Sequence, residues 1–72
     1  MQIRNTVNVL PGTSYEIVGS HSDRVVARGK ADAGDTYASL LDEYAAYVRQ
    51  NCCFSTEFVI NGIIVAITEV QS

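Results

Sequence analysis

The chain has 72 residues, 47% of them hydrophobic, and a formal net charge of −3. This length allows one domain, and this composition excludes an intrinsically disordered chain. No apolar run approaches the ~20 residues of a membrane-spanning helix, and the residues after Met1 lack the apolar core of a signal peptide, so we expect a cytoplasmic protein. Because so short a chain gains little net stability from its own core, we expect a partner or a second copy to stabilise it.

Charge is distributed unevenly along the chain. Residues 1–30 hold four basic and two acidic residues, whereas residues 31–72 hold one basic and six acidic residues. Nucleic-acid binding by the whole domain is disfavoured, because phosphate contacts need clustered cations. The acidic second half suits a basic protein partner instead.

Hydrophobic alternation predicts three strands in the first part of the chain, at residues 2–10, 14–19 and 24–30. Pro11-Gly12 and the polar residues 20–23 favour turns between them. Connections this short predict an antiparallel meander. Since alternate residues of a strand share a face, we expect three basic residues of the third strand to lie on one face, with Val26 between them. We call these three basic residues the cationic row. The members of this row are Arg24, Arg28 and Lys30.

A helix is predicted next, with Asp35 as its N-cap and its end near Asn51. Spacing of 100° per residue places most of the apolar side chains on one arc, which should face the core. This arc comprises Tyr37, Leu40, Leu41, Tyr44, Ala45 and Val48. Asp42 and Glu43 fall on the opposite, solvated arc, and Tyr47 lies at the border beside Glu43.

Asn61-Gly62 predicts a two-residue hairpin turn, because both central positions of a type I′ turn need positive φ. Such a turn fixes the register, so the predicted core-facing pairs are Ile60–Ile63, Phe58–Val65 and Thr56–Ile67. The other face would carry Glu57, Val59, Ile64, Ala66 and Thr68. The predicted order β-β-β-α-β-β defines a two-layer α+β fold, with one helix on one face of an antiparallel sheet of about five strands.

Few residues could support chemistry. His21 is the single histidine, which excludes the common paired-histidine metal sites and most nucleophile–base arrangements. Cys52 and Cys53 are sequence neighbours that cannot close a useful disulfide loop, and nothing electropositive near them lowers a thiol pKa. We therefore predict no catalytic residue, no cofactor and no metal, and expect a protein that is not an enzyme.

Two features could carry binding. The cationic row could contact an acidic partner, or it could simply protect an edge strand from aggregation. The outward apolar stripe of Val59, Ile64 and Ala66, with Val70 beyond it, could be covered by the same chain, by a partner or by a second copy.

Several stretches of the sequence resemble a family of small phage anti-CRISPR proteins, the fifth named family of type I-F inhibitors. The stretches are Ser14-Tyr15-Glu16-Ile17 after Pro11-Gly12, Val25-Val26 with Arg28, Ala33-Gly34-Asp35, Val59-Ile60 and Val65-Ala66-Ile67. The resemblance implies an inhibitor that docks on a subunit of a type I CRISPR-Cas surveillance complex in the host bacterial cell. It would block target DNA or the recruited nuclease.

The strands before Gly34-Asp35-Thr36 and the alanine-containing helix are also similar to the partial RNase-H-like fold of HicB-type antitoxins. That resemblance implies a protein that plugs a small toxin ribonuclease. A third alternative is a small nucleic-acid binder using Arg24, Arg28 and Lys30.

For a protein inhibitor, two surfaces are candidates for the contact with a Cas protein. One is the acidic helix edge of Asp42, Glu43 and Tyr47, since an exposed tyrosine beside acids is typical of a binding hot spot. The other is the outer face of the final hairpin, with Glu57, Val59 and Ile64. A homodimer, in which a second copy covers the outward apolar stripe, is the alternative to a heterologous partner.

Overall fold

The five-stranded antiparallel sheet of this protein has the order β1-β5-β4-β2-β3, and one helix packs on one of its faces. The computed structural model describes residues 2–3, 7–51 and 54–69. Its elements are β1 (Gln2–Ile3), β2 (Ser14–Gly19), β3 (Val25–Lys30), α1 (Tyr37–Asn51), β4 (Thr56–Ile60) and β5 (Ile63–Thr68). The predicted α+β class and element order are confirmed.

The predicted meander of the first three strands is wrong. β2 pairs with β3 on one side and with β4 on the other, so it has no free edge for β1. β1 pairs instead with β5, at the opposite side of the sheet. The first strand is also shorter than predicted: residues 7–10 form no strand, residues 4–6 lie outside the described residues, and Val7 and Val9 pack against the core.

Helix α1 has the predicted end at Asn51, but its N-cap is Thr36 and not Asp35. The Ser39 amide donates to Thr36 Oγ1 (3.1 Å), and the Thr36 amide donates to Ser39 Oγ (2.8 Å). This reciprocal pair is a capping box, and it forms at Thr36 because Tyr37 is the first helical residue. The Asp35 carboxylate instead accepts from the Asp32 amide (2.8 Å) and from Ser39 Oγ (3.1 Å), which braces the loop before the helix.

The helix buries the face that its periodicity predicts, with Leu40, Leu41, Tyr44 and Val48 in the core. The Tyr44 ring stacks on Phe58 of β4 with centroids 4.7 Å apart and an interplanar angle of 3°. Tyr15 of β2 meets the same Phe58 ring edge-on at 5.8 Å. These three rings join the helix layer to the middle of the sheet, where apolar burial and aromatic contact both stabilise the fold.

The final hairpin has the predicted turn and one predicted pair. Asn61 and Gly62 have φ of 53° and 79°, and Ile60 pairs with Ile63. Beyond the turn, a bulge at Val65 shifts the register by one residue. Phe58 therefore opposes Ala66 instead of Val65, and Thr56 opposes Thr68 instead of Ile67.

The bulge also changes which β5 side chains face the helix. Ala66 and Thr68, predicted on the outer side, share the helix side with Phe58 and Thr56. Ile67 moves the other way, because it opposes Glu57. One inserted residue thus exchanges an alanine for an isoleucine on the sheet face that lacks a helix.

Candidate docking surfaces

The sheet face away from the helix, here called the outer face, collects residues from four strands into two rows. The first row runs Arg28, Glu16, Val59, Ile64, and the second runs Val25, Val18, Glu57, Ile67. In each row, every residue pairs with the next one across a strand boundary. Their side chains therefore lie side by side on one surface.

Aliphatic side chains make up more than half of these rows, and the described chain covers them only in part. Ile64 retains 37% of its exposure, whereas core residues such as Ile60 and Val65 retain none. The remaining four aliphatic residues are half-buried, and none of the five belongs to the core cluster. These five are Val18, Val25, Val59, Ile64 and Ile67.

The structure divides the predicted contact residues between its two layers. The outer face carries four of them, Arg28, Glu57, Val59 and Ile64. Asp42 and Glu43 are exposed on the helix, in the other layer. The two candidate surfaces are therefore separate, and the apolar content is on the outer face.

Tyr47 does not form the exposed tyrosine that the acidic helix edge requires. It is half-buried and packs against the core, and its hydroxyl donates to the Val26 carbonyl oxygen at 3.4 Å. Because its hydroxyl is engaged with β3, Tyr47 does not project into solvent from the helix edge as the sequence predicts.

The cationic row is altered by a second bulge. Val18 pairs with Val25 whereas Ile17 pairs with Ala27, so Val26 is the extra residue. Arg28 and Lys30 remain exposed on one face of β3, but Arg24 precedes the strand and Val25 occupies the place predicted for it. β3 lies at one end of the sheet order. Exposed charges and a bulge at such a position fit the alternative of a protected edge strand.

A cleft of about 180 Å³ lies between α1 and the β3 edge. On the helix side of β3 the small residue Ala27, which pairs with Ile17, leaves part of this space open. The Tyr15 ring covers Gly29 so closely that a Cβ there would lie 2.6 Å from the phenolic oxygen. The cleft is lined by Tyr15, Ile17, Ala27, Arg28, Glu43, Tyr44, Tyr47 and Phe58.

The cleft was not predicted from the sequence, although one signal for it is present there. Ala27 and Gly29 are small residues at alternate positions of an edge strand: Ala27 leaves space beneath the packed helix, whereas the Tyr15 ring fills the space above Gly29. Recognising their aromatic neighbour requires the pairing of Tyr15 with Gly29, which is a contact between strands.

Burial and nearby carboxylates both act on the Tyr15 phenol, which lines the cleft. Burial raises the pKa of the Tyr15 phenol above its ordinary value of 10.0, and Glu43, Asp35 and Asp32 each raise this pKa further. A negative charge on the phenol would be repelled by all three carboxylates.

The sequence also drew attention to the single histidine, the two cysteines and Val70. His21 is exposed in the turn before β3, and the described residues contain no group of three or more potential metal ligands. Cys52, Cys53 and Val70 lie outside the described residues. No helix in the described part of the chain has the length and apolar character needed to cross a membrane.

Comparison with protein-family models, with curated proteins and with solved structures finds no match.

Proposed function

We propose that this protein is a non-enzymatic inhibitor that acts by docking its outer face on a partner protein. The observation that carries the proposal is the set of five aliphatic side chains on that face, outside the core and incompletely covered. Apolar side chains with charged neighbours are the composition of a binding patch, in which the apolar part supplies affinity and the charges set orientation. The charged neighbours are Glu16, Glu57, Arg28 and Lys30.

The partner that we propose is a Cas subunit of a type I surveillance complex, as the sequence resemblance implies. Charge supports this choice, because a protein that holds nucleic acid presents basic surface. This chain carries a net charge of −3, and its second half is strongly acidic. Opposite net charge accelerates the encounter of two proteins, while the aliphatic outer face would slow their dissociation. Docking would block either target DNA or the recruited nuclease.

Two neighbouring isoleucines provide the test. Ile64 lies on the outer face, whereas Ile63 pairs with Ile60 on the helix side, and the two are similarly exposed at 37% and 42%. We expect the unchanged chain to bind a purified type I surveillance complex and to stop plasmid interference. Ile64→Lys should weaken this binding about tenfold or more, because it places a charge within an apolar contact. Ile63→Lys is the matched control and should bind as the unchanged chain does.

Two results would overturn the proposal. One is unchanged binding by Ile64→Lys, which would remove the outer face as the docking surface. The other is an unchanged chain that neither binds the complex nor alters interference. Rescue of growth from a toxin ribonuclease would then favour the antitoxin alternative, and salt-sensitive retention of labelled DNA or RNA would favour the nucleic-acid binder.

A further inference from the structure

The cleft between α1 and β3 is large enough to receive a side chain from another molecule. Its volume of about 180 Å³ far exceeds the ~15 Å³ that a single water needs. Ile17, Ala27 and Phe58 give it apolar walls. Such a space favours an occupant with an extended or planar apolar part.

Aromatic rings and a carboxylate in the cleft favour an occupant that carries a positive charge. Tyr15 and Tyr47 are half-buried residues that line it, and Glu43 is an exposed residue that lines it from the helix. Among the described residues, no basic side chain lies within ion-pair distance of Glu43. Rings beside an unpaired carboxylate attract a cation through ring quadrupole and charge together.

Arg28 also lines the cleft, but its side chain belongs to the other side of the sheet. It pairs with Glu16 on the outer face, whereas its neighbours Ala27 and Gly29 pair with Ile17 and Tyr15 on the helix side. Glu43, Asp35 and Asp32 raise the pKa of the Tyr15 phenol, and Glu43 itself lines the cleft. These carboxylates therefore favour a cation beside the Tyr15 phenol, which lines the cleft, whereas Arg28 opposes one from its own side of the sheet.

We propose that the cleft binds an arginine side chain of the protein on which this chain docks. A guanidinium is planar, stacks on tyrosine and pairs with a carboxylate through two parallel N–H bonds, so it can use Tyr15, Tyr47 and Glu43 together. A lysine ammonium is a more strongly hydrated point charge and gains less from the rings. Arginine is also among the residues that most often dominate protein interfaces.

The position of the cleft relative to the outer face is consistent with a single partner. Ala27 lines the cleft, and the next residue, Arg28, stands at the β3 end of the first outer-face row. A partner lying on the outer face therefore reaches the cleft by passing one edge strand. The inference rests on the proposed function only in naming whose arginine enters; the cleft can be tested on the free chain.

The test uses the intact chain labelled with ¹⁵N and the probe N-acetyl-arginine methylamide, followed by NMR at constant ionic strength. We expect saturable shifts confined to the amides of cleft residues, including Ala27, Glu43 and Tyr47. N-acetyl-citrulline methylamide has nearly the same shape without the charge and should bind about fivefold or more weakly. N-acetyl-lysine methylamide should lie between the two.

A matched pair of variants on α1 separates the cleft from general acidity. Glu43→Gln removes the lining carboxylate and should weaken arginine binding about fivefold. Asp42→Asn removes the same charge from the adjacent exposed residue, which does not line the cleft, and should bind as the unchanged chain does. Neither position is buried, so both variants are expected to fold, and their amide spectra report this directly.

Equal shifts from the arginine and citrulline probes would overturn the inference, as would shifts scattered over the surface or equal effects of the two variants. These outcomes would leave the proposed docking function standing, because it is decided by Ile64→Lys and Ile63→Lys against the surveillance complex. Arginine binding in the cleft together with failed docking would, conversely, retain the cleft and reject the partner.

Discussion

The hydroxyl of Tyr44 lies inside the core, where a polar group is tolerated only with a hydrogen-bond partner. It donates to the Thr56 carbonyl oxygen at 3.1 Å and lies 2.7 Å from Thr56 Oγ1, which can donate to it in return. Tyr44 retains 1% of its exposure and Thr56 retains none. This pair links the middle of α1 to the first residue of β4, so it helps to fix the position of the helix on the sheet.

Removing the Tyr44 hydroxyl should therefore destabilise the fold strongly, although the substitution deletes a single oxygen atom. We expect Tyr44→Phe to lower the free energy of unfolding by about 1–3 kcal/mol, because Thr56 Oγ1 loses its partner in a dry environment. Chemical denaturation measures this change. Tyr47→Phe is the control: its 3.4 Å bond is long and half-buried, and we expect a loss below about 1 kcal/mol.

The double variant with Thr56→Val tests whether the pair acts as a unit. Replacing both partners removes the stranded hydroxyl, so the double loss should be smaller than the sum of the single losses. Additive losses would mean that the Tyr44 and Thr56 hydroxyls contribute independently and do not act as a pair.

At the scale of single elements, the start of α1 shows how local chemistry fixes a boundary. The side-chain oxygens of Thr36 and Ser39 each accept from the backbone amide of the other residue. The Thr36 carbonyl oxygen also accepts from the Leu40 amide at 3.0 Å. We expect Thr36→Ala to lower the free energy of unfolding by about 1 kcal/mol, because one first-turn amide loses its acceptor. Thr36→Ser keeps the hydroxyl and should retain most of that stability. Denaturation curves in which both variants lose equally would show that the hydroxyl does not cap the helix.

The elements whose signals are local could be predicted from the sequence. The buried arc of α1 follows from periodicity, and the hairpin turn follows from Asn61-Gly62, which adopts positive φ as its residue types allow. The N-cap was misplaced by one residue because Asp35 and Thr36 are both good capping residues. Local chemistry alone does not decide between two such neighbours.

Strand pairing and the two bulges could not be predicted in the same way. β1 joins β5 across most of the chain length, and no short-range feature of residues 2–10 specifies that choice. Each bulge inserts one residue, Val26 or Val65, and so reverses the faces of the residues beyond it. The outer face was accordingly predicted with Ala66 and Thr68 in place of Ile67, and its true apolar content was underestimated. The cleft was missed for the same reason, since it depends on a pairing between strands.

At the scale of the whole molecule, the two faces of one sheet differ in burial. The helix side carries the core, including Ile17, Phe58 and Ile60, all nearly or fully buried. The outer side carries aliphatic residues that the described chain leaves partly exposed, although exposing them to water gains nothing for folding. Stability and docking should therefore be separable by substitution.

Ile60 and Ile64 lie on opposite sides of the same turn. Substituting each of them tests whether stability and docking depend on different faces of the sheet. Ile60 is fully buried, so Ile60→Ala should lower the free energy of unfolding by about 2–5 kcal/mol. Ile64→Ala removes the same atoms from the outer face and should cost less than about 1 kcal/mol in the free chain, as denaturation would measure. Binding to the surveillance complex should show the reverse order once both variants are assayed under folding conditions. A loss of stability at Ile64 as large as that at Ile60 would mean that the chain itself covers the outer face, and the docking surface would have to be sought elsewhere.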